Sequence, residues 1–189
     1  MNKPELNIYI GSMFAGKTSK IITIYNSLIS EDINTLVITH SLENRFEENY
    51  ISTHDNIKIR CNKLSNISDI PSLSSFEQST VILIDESQFF PDLNNVLELV
   101  ETYNKCVYVF GLDGDFKRNK FGQILDLIPY CDNIHKLKSI CYKCKDKGIF
   151  SRRITDSDEQ LLVGSNNDYQ PVCRQCYIKY CKWYDKWFI

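Results

Sequence analysis

Glycine is scarce in this chain, 7 of 189 residues. A pattern that needs two glycines at a fixed spacing is therefore hard to meet by accident, at odds of under about one in a hundred from usual residue frequencies. Long apolar runs are also lacking. None approaches the roughly 20 residues a membrane-spanning helix requires, which excludes that class and argues against a membrane partner. Excess positive charge is missing too: 22 Lys and Arg stand against 24 Asp and Glu, for a formal net charge of −2 and a pI of about 5.9. The basic residues are scattered and form no stripe, which argues against extended nucleic acid as the main partner. Residues 1–5 are polar and lead straight into Leu6-Asn7-Ile8-Tyr9-Ile10. No secretory signal is expected ahead of the fold, and a cytosol-like compartment follows. There is no internal repeat and no strong low-complexity segment.

What is present is an ordinary globular composition, 43% hydrophobic and 24% charged. A chain of this length forms one sizeable core with room for a small appendage. Its 8 cysteines, in a chain where no secretory leader is expected, read as metal ligands and buried small apolar residues rather than disulfides.

Four short apolar runs read as strands: residues 6–10, Thr35-Leu36-Val37-Ile38, Val81-Ile82-Leu83-Ile84 and Cys106-Val107-Tyr108-Val109-Phe110. The second and third are apolar runs typical of parallel strands covered on both faces. Residues 17 to about 29 carry Ile21, Ile22, Tyr25, Leu28 and Ile29 at helical spacing, and a second helix is predicted to start at Pro91 with Leu93, Val96, Leu97 and Val100 on its apolar face. Strands alternating with helices predict an α/β fold, a doubly wound and mostly parallel sheet. Residues 41–56 are polar with no clear period and read as a mobile loop. Residues 62–78, rich in Ser and Asn, read as surface. From about residue 140 the pattern changes to cysteine pairs and short β-like runs, so a boundary is placed near 138: residues 1–138 form a nucleotide-binding domain and 139–189 a small lobe.

Between the first strand and the first helix stands Gly11-Ser12-Met13-Phe14-Ala15-Gly16-Lys17-Thr18, the phosphate-binding pattern G-x-x-x-x-G-K-[ST]. Glycines let backbone N–H groups turn inward on phosphate oxygens, the lysine reaches the β- and γ-phosphates, and the hydroxyl faces Mg²⁺. The helix N-terminus behind the loop adds partial positive charge. The strand 81–84 runs into Asp85-Glu86-Ser87-Gln88. A hydrophobic strand ending in acid puts Asp85 on the metal side of such a loop, and Glu86 at the strand's C-terminal edge, where ligands bind in open α/β sheets, fits a general base. The base can act on a substrate hydroxyl or on water. Some helicases share this tetrapeptide, but they need two motor domains and this chain has room for one.

Cys141-x-x-Cys144 and Cys173-x-x-Cys176 make two identical knuckles with 28 residues between them, 145–172. Four thiolates match the tetrahedral preference of structural Zn²⁺, and with no position left open the metal is structural rather than catalytic. Cys61, Cys106, Cys131 and Cys181 lack such partners and read as core or surface thiols.

Taken together, these segments closely resemble the type II thymidine kinases of animals, poxviruses and bacteria, over nearly the whole chain. The carriers are the phosphate loop, then Ile84-Asp85-Glu86-Ser87-Gln88-Phe89-Phe90-Pro91, then Gly111-Leu112-Asp113-Gly114-Asp115-Phe116-Lys117-Arg118-Asn119-Lys120-Phe121-Gly122, both cysteine pairs, and Val163-Gly164 with Tyr169 ahead of Cys173. The resemblance implies a RecA-like P-loop sheet, a zinc lobe whose loop drapes over the nucleoside, and transfer of the ATP γ-phosphate to the 5′-hydroxyl of thymidine, giving the dTMP that nucleotide salvage feeds into DNA precursor synthesis. It makes Glu86 the catalytic base. It assigns residues 11–18, Glu43, Asn44, Arg45, Asp85, Glu86, Ser87 and Gln88 to ATP, with Mg²⁺ at Thr18 and Asp85. Met13, Phe89, Leu112 and Phe116 fall around the base, Phe116 foremost. Gln160, Leu161, Leu162, Val163, Gly164 and Tyr169 correspond to the covering loop, which binds largely through backbone groups. Arg45 corresponds to a phosphate-proximal arginine and Arg153, placed with the substrate set, to a second one near the zinc lobe.

There are departures. Glu43 stands where relatives often carry an aspartate, Ser87 replaces a Gly or Ala, and Asp115 replaces the Thr of many animal members; none removes a catalytic group. The resemblance further implies a homotetramer, feedback inhibition by dTTP and a cytoplasmic location, the host's if the chain is viral. Two other readings stay open: a broader deoxynucleoside kinase, since one methyl group separates thymidine from deoxyuridine by only about 1–3 kcal/mol, and a zinc-bearing P-loop ATPase acting on nucleic acid.

Overall fold

The computed structural model describes residues 3–43, 49–53, 57–160 and 168–181. Among them, Asn44, Arg45 and residues 161–164 are not included, so those expectations lie outside the described residues.

The chain runs β1 (Glu5–Ile10), α1 (Lys17–Ser30), β2 (Thr35–His40), β3 (Tyr50–Ser52), β4 (Lys58–Arg60), β5 (Asn62–Leu64), β6 (Val81–Ile84), α2 (Val96–Glu101), β7 (Cys106–Gly111) and β8 (Asn133–Lys136). It continues through β9 (Ser139–Ile140), β10 (Lys147–Gly148), β11 (Phe150–Arg153), β12 (Tyr169–Val172) and α3 (Arg174–Tyr180). The central sheet has six strands in the order β5-β2-β6-β7-β1-β8, and every pairing in it is parallel.

The strongly apolar strands are explained by the two cores they separate. Alternate side chains point to opposite faces of a strand. Leu6, Ile8 and Ile10, with Leu36, Ile38, Ile82, Ile84, Val107 and Val109, pack on Val96 and Leu99 of α2. The other parity, Tyr9, Val37, Val81, Leu83, Cys106 and Phe110, packs on Ile21 and Ile22 of α1. With helices on both faces, each apolar side chain in the middle of the sheet contributes about 1.5–3 kcal/mol of burial; the polar Asn7 of β1 is buried there with hydrogen bonds to Cys106 Sγ and Asn133.

Three expectations are corrected. Residues 62–78 are not surface throughout: β5 pairs with β2, and Ile67, Ile70 and Phe76, set among exposed neighbours, belong to the first core. Their apolar spacing is sparse and surrounded by Ser and Asn, so composition masked a segment that closes the core's flank. The expected loop at 41–56 contains β3, which pairs antiparallel with β4; Ile51 and Ile59 seat that hairpin on the second core. The helix expected from Pro91 starts later. A single 3-10 turn, Leu93–Asn95, precedes α2, and Leu99 is buried with Leu93 and Val96 while Leu97 and Val100 sit half-buried at the core's edge.

Beyond β8 come two small antiparallel sheets, β9 with β10 and β11 with β12. This lobe shares a third cluster with the main sheet's loops: Cys141, Tyr169, Val172, Tyr177 and Phe116, flanked by Met13, Phe14 and Phe150. Tyr177 donates its hydroxyl to the Phe116 carbonyl at 2.8 Å. No helix among the described residues is long and apolar enough to cross a membrane.

Candidate active site

Because β7 lies between β6 and β1, the C-terminal ends of three strands line up side by side. β1 delivers the glycine loop, β6 delivers Asp85 and Glu86, and β7 delivers Gly111 and Leu112. Ligands bind at this edge in open parallel sheets.

In the loop, Gly16 has φ +80°, a left-handed turn that only glycine makes without penalty. Lys17 is folded inward and donates to the carbonyls of Gly11 and Ser12 at 3.1 and 3.0 Å. Ala15 N–H donates to the Ser12 carbonyl at 3.3 Å, closing the turn. The loop is tied to the small lobe by Met13 N–H donating to Ser151 Oγ at 3.0 Å and by the Ser12 and Ser139 hydroxyls, 3.4 Å apart. Ser151 and Ser139 were not foreseen, since an isolated serine in a β-like run carries no sequence signal.

Asp85 is buried, and its two oxygens face two partners. Oδ2 accepts from Thr18 Oγ1 at 3.3 Å, and Oδ1 accepts from Glu86 N–H at 2.9 Å. The hydroxyl and carboxylate expected for Mg²⁺ are thus within one hydrogen bond of each other, although 67 positions apart in the chain. Such an oxygen donor set suits a hard cation.

Glu86 itself sits at φ +51°. A non-glycine residue there is strained by about 1–2 kcal/mol, and such strain concentrates at functional positions. Its Oε2 accepts from Gln88 Nε2 at 2.5 Å, and Gln88 Oε1 accepts from Leu112 N–H at 3.0 Å. One continuous series of contacts therefore runs from Thr18 to Leu112.

The expected nucleoside side chains fall in two groups. Phe89 stands between His40 and Phe121, with ring centroids 5.9 Å from each. Met13, Phe116 and Tyr169 share the third cluster. Phe116 is fully buried there, with the Arg153 guanidinium 3.8 Å from its centroid. Arg153 donates to the carbonyls of Ser157, Glu159 and Gln160 and to the Tyr169 hydroxyl. Gln160 donates to Asp115 Oδ2 at 2.8 Å, while Asp115 Oδ1 accepts from Lys117 and Asn119 N–H at 2.8 Å each. Asp115 thus holds both its own turn and the Gln160 side chain. Glu43 is buried, and its carbonyl accepts from Lys63 Nζ at 2.7 Å. Burial pushes the pKa of His40, beside Phe89 and Phe90, below its ordinary value.

The four knuckle cysteines converge, their sulfurs all within 4.8 Å of one another. Cys144 and Cys173 Sγ lie 3.6 Å apart, close to the roughly 3.8 Å edge of a tetrahedron with Zn–S of about 2.3 Å. Cys141 closes the β9–β10 turn, where its N–H donates to the Asp146 carbonyl at 2.6 Å. Cys173 caps α3, accepting from Cys176 N–H at 3.4 Å. Burial opposes the Cys141 thiolate, yet backbone N–H groups of Cys144, Cys173 and Lys143 outweigh it and bring the pKa down to about 6. The donor set fits zinc.

Fold and site together define a P-loop α/β protein with a small lobe whose four clustered cysteines suit a metal ion. A family model described as thymidine kinase matches residues 4–177. The chain is 36% identical over 179 residues to a thymidine kinase of Oryza sativa subsp. japonica, covering 92% of this chain and 66% of that protein. It is 35% identical over 178 residues to the thymidine kinase of Vaccinia virus (strain Western Reserve), covering 94% of this chain and 99% of the viral one. Against the thymidine kinase of Myxoma virus (strain Uriarra) the identity is 34% over 174 residues, 92% and 96% of the two chains. The chain belongs to the thymidine kinase family.

Proposed function

We propose that this protein transfers the γ-phosphoryl group of ATP to the 5′-hydroxyl of thymidine, yielding ADP and dTMP. The observation that carries the reading is the Asp85 carboxylate, which meets the phosphate-loop hydroxyl of Thr18 on one side and the backbone of Glu86 on the other. A nucleotide held by residues 11–18 would therefore lie beside the Glu86 carboxylate.

Glu86 accepts the proton of the 5′-hydroxyl as that oxygen bonds to the γ-phosphorus and the bond to the β-phosphate oxygen breaks. Lys17 neutralises charge on the phosphates once it leaves the loop carbonyls for them. Thr18 and Asp85 would hold Mg²⁺, which supplies further charge neutralisation when bound. Phosphoryl transfer asks little more of the protein than positioning and electrostatics. Met13, Phe89, Leu112 and Phe116 are assigned to the thymine base, Arg153, Gln160 and Tyr169 to the loop over it, and Glu43, Asn44 and Arg45 to the phosphates. Residues 1–138 form the kinase domain and 139–189 the zinc lobe. In keeping with its family, the protein works as a cytoplasmic homotetramer, is inhibited by dTTP, and does not act on nucleic acid.

The test is ATP-dependent phosphorylation of thymidine, deoxyuridine and deoxycytidine by purified protein, with ATP hydrolysis in the absence of nucleoside measured alongside. Thymidine-selective product is expected. Hydrolysis indifferent to every nucleoside would hand Glu86 to water activation and overturn the reading.

A further inference from the structure

Gln88 is buried, and both ends of its amide are engaged by the site's own groups rather than by the phosphate loop. Leu112 N–H can only donate, so the amide oxygen must face it. That fixes the other end: the NH₂ must face Glu86, where Nε2 lies 2.5 Å from Oε2. The orientation of this amide is therefore set by the backbone at the end of β7.

Two of the chain's 7 glycines surround this one residue. A Cβ on Gly122, which has φ +65°, would come within 2.4 Å of the Gln88 carbonyl oxygen and 2.8 Å of its Cα. A Cβ on Gly111 would lie 2.2 Å from Ser87 Oγ and 3.1 Å from Gln88 Oε1. Gly122 cannot carry a side chain while Gln88 stays where it is; at Gly111 the obstacle is Ser87 Oγ, with Gln88 Oε1 in tight contact behind it. In a sequence so poor in glycine, that close approach marks a built feature.

We propose that Gln88 is a positioning residue for phosphoryl transfer: it fixes the Glu86 carboxylate and ties it to the backbone N–H of Leu112, at the wall of the nucleoside pocket. The inference rests on the reading of Glu86 as the base and extends it. Glu86 has a long side chain on a strained backbone, and a carboxylate left to rotate would meet the 5′-hydroxyl in many unproductive geometries. Misplacement by about 1 Å can cost roughly a hundredfold in rate. Because Leu112 belongs to both the pocket wall and this contact, a shift of the wall on nucleoside binding is passed to the base.

The experiment is a double-mutant cycle of the full-length protein: wild type, Glu86→Gln, Gln88→Met and the double variant. Single turnover with enzyme in excess keeps slow variants measurable, and ATP and thymidine affinities are taken by calorimetry. Although the family resemblance groups Gln88 with the ATP set, its amide is spent on Glu86 and Leu112, so Gln88→Met is expected to lower the rate at saturating substrates about tenfold or more, to leave ATP affinity within about twofold, and to have no further effect in the Glu86→Gln background. An equal fold loss in both backgrounds, or a loss confined to ATP affinity, would overturn the proposal while leaving Glu86 as base. Wild-type turnover by Glu86→Gln would overturn the base assignment and the proposal with it. Should Gln88→Met fail to fold, Gln88→Asn, which keeps an amide but is one methylene too short to span Glu86 Oε2 and Leu112 N–H, takes its place in the same cycle with the same outcomes.

Discussion

The guanidinium of Arg153 lies over the ring of Phe116, 3.8 Å from its centroid, with both side chains buried in the cluster that joins the zinc lobe to the sheet. A buried cation of this kind needs partners. It finds them in the carbonyls of Ser157, Glu159 and Gln160 and the hydroxyl of Tyr169. The arginine therefore links an aromatic side chain of the candidate pocket to the segment that leads into the covering loop. A planar fork that stacks and donates in several directions is what Arg offers and Lys does not.

Arg153→Lys is accordingly expected to raise the thymidine KM about tenfold while changing the ATP KM less than twofold. It should also destabilise the fold by about 2 kcal/mol through lost hydrogen bonds to carbonyls. Steady-state kinetics with each substrate varied, beside a urea melt, checks both halves.

Zinc should be present at about one atom per chain by elemental analysis, held by Cys141, Cys144, Cys173 and Cys176. Binding of a structural metal is folding energy, so a strong chelator should expose Tyr169 and Tyr177, which pack against those cysteines. Loss of kinase activity in step with a near-ultraviolet change in tyrosine environment is the expected result. Full activity in a metal-free sample would contradict it.

Gly122→Ala should be poorly tolerated. The position combines φ +65° with a Cβ that would sit 2.4 Å from the Gln88 carbonyl. Strain of about 1–3 kcal/mol and a displaced Gln88 predict both a lower melting temperature and a reduced kcat. Gly16→Ala, where a Cβ would meet nothing within 4 Å, carries only the cost of its positive φ, so its stability loss should be smaller.

Phe76→Ala should remove about 3–5 kcal/mol of stability, the usual cost of an aromatic-sized cavity, because Phe76 is fully buried in the first core and Lys105 Nζ lies over its ring at 4.6 Å. Chemical denaturation would measure it. A loss below about 1 kcal/mol would return residues 62–78 to the surface.

His40 gives the protein a pH dependence with a definite sign. Burial holds its pKa below the ordinary 6.5, so the unfolded chain binds the proton more readily and stability rises with pH across this range. As the pH drops below about 6.5, folding stability should therefore fall until the folded-state pKa is reached. His40→Gln should flatten that part of the curve, read as melting temperature against pH.

The sequence by itself determined the parts of this protein that depend on local spacing. Strands that are apolar on both parities can be covered only on both faces, so the parallel sheet was legible from residues 6–10, 35–38, 81–84 and 106–110, the lone Asn7 notwithstanding. The glycine loop, the acidic end of the strand at 81–84 and the paired cysteines carry chemistry whose spacing is fixed by phosphate or metal geometry, and they were legible for the same reason. Other features were not. Ile67, Ile70 and Phe76 are core because of where the chain between β5 and β6 returns across the sheet, which no period in that stretch announces. Ile51 and Ile59 gain burial only as a hairpin seated on the second core. Above all, that Thr18 meets Asp85 and that Gln88 spans Glu86 and Leu112 follows from the strand order, with β7 set between β6 and β1. Contacts across tens of residues are decided by which strands lie side by side, and only the tertiary structure decides that.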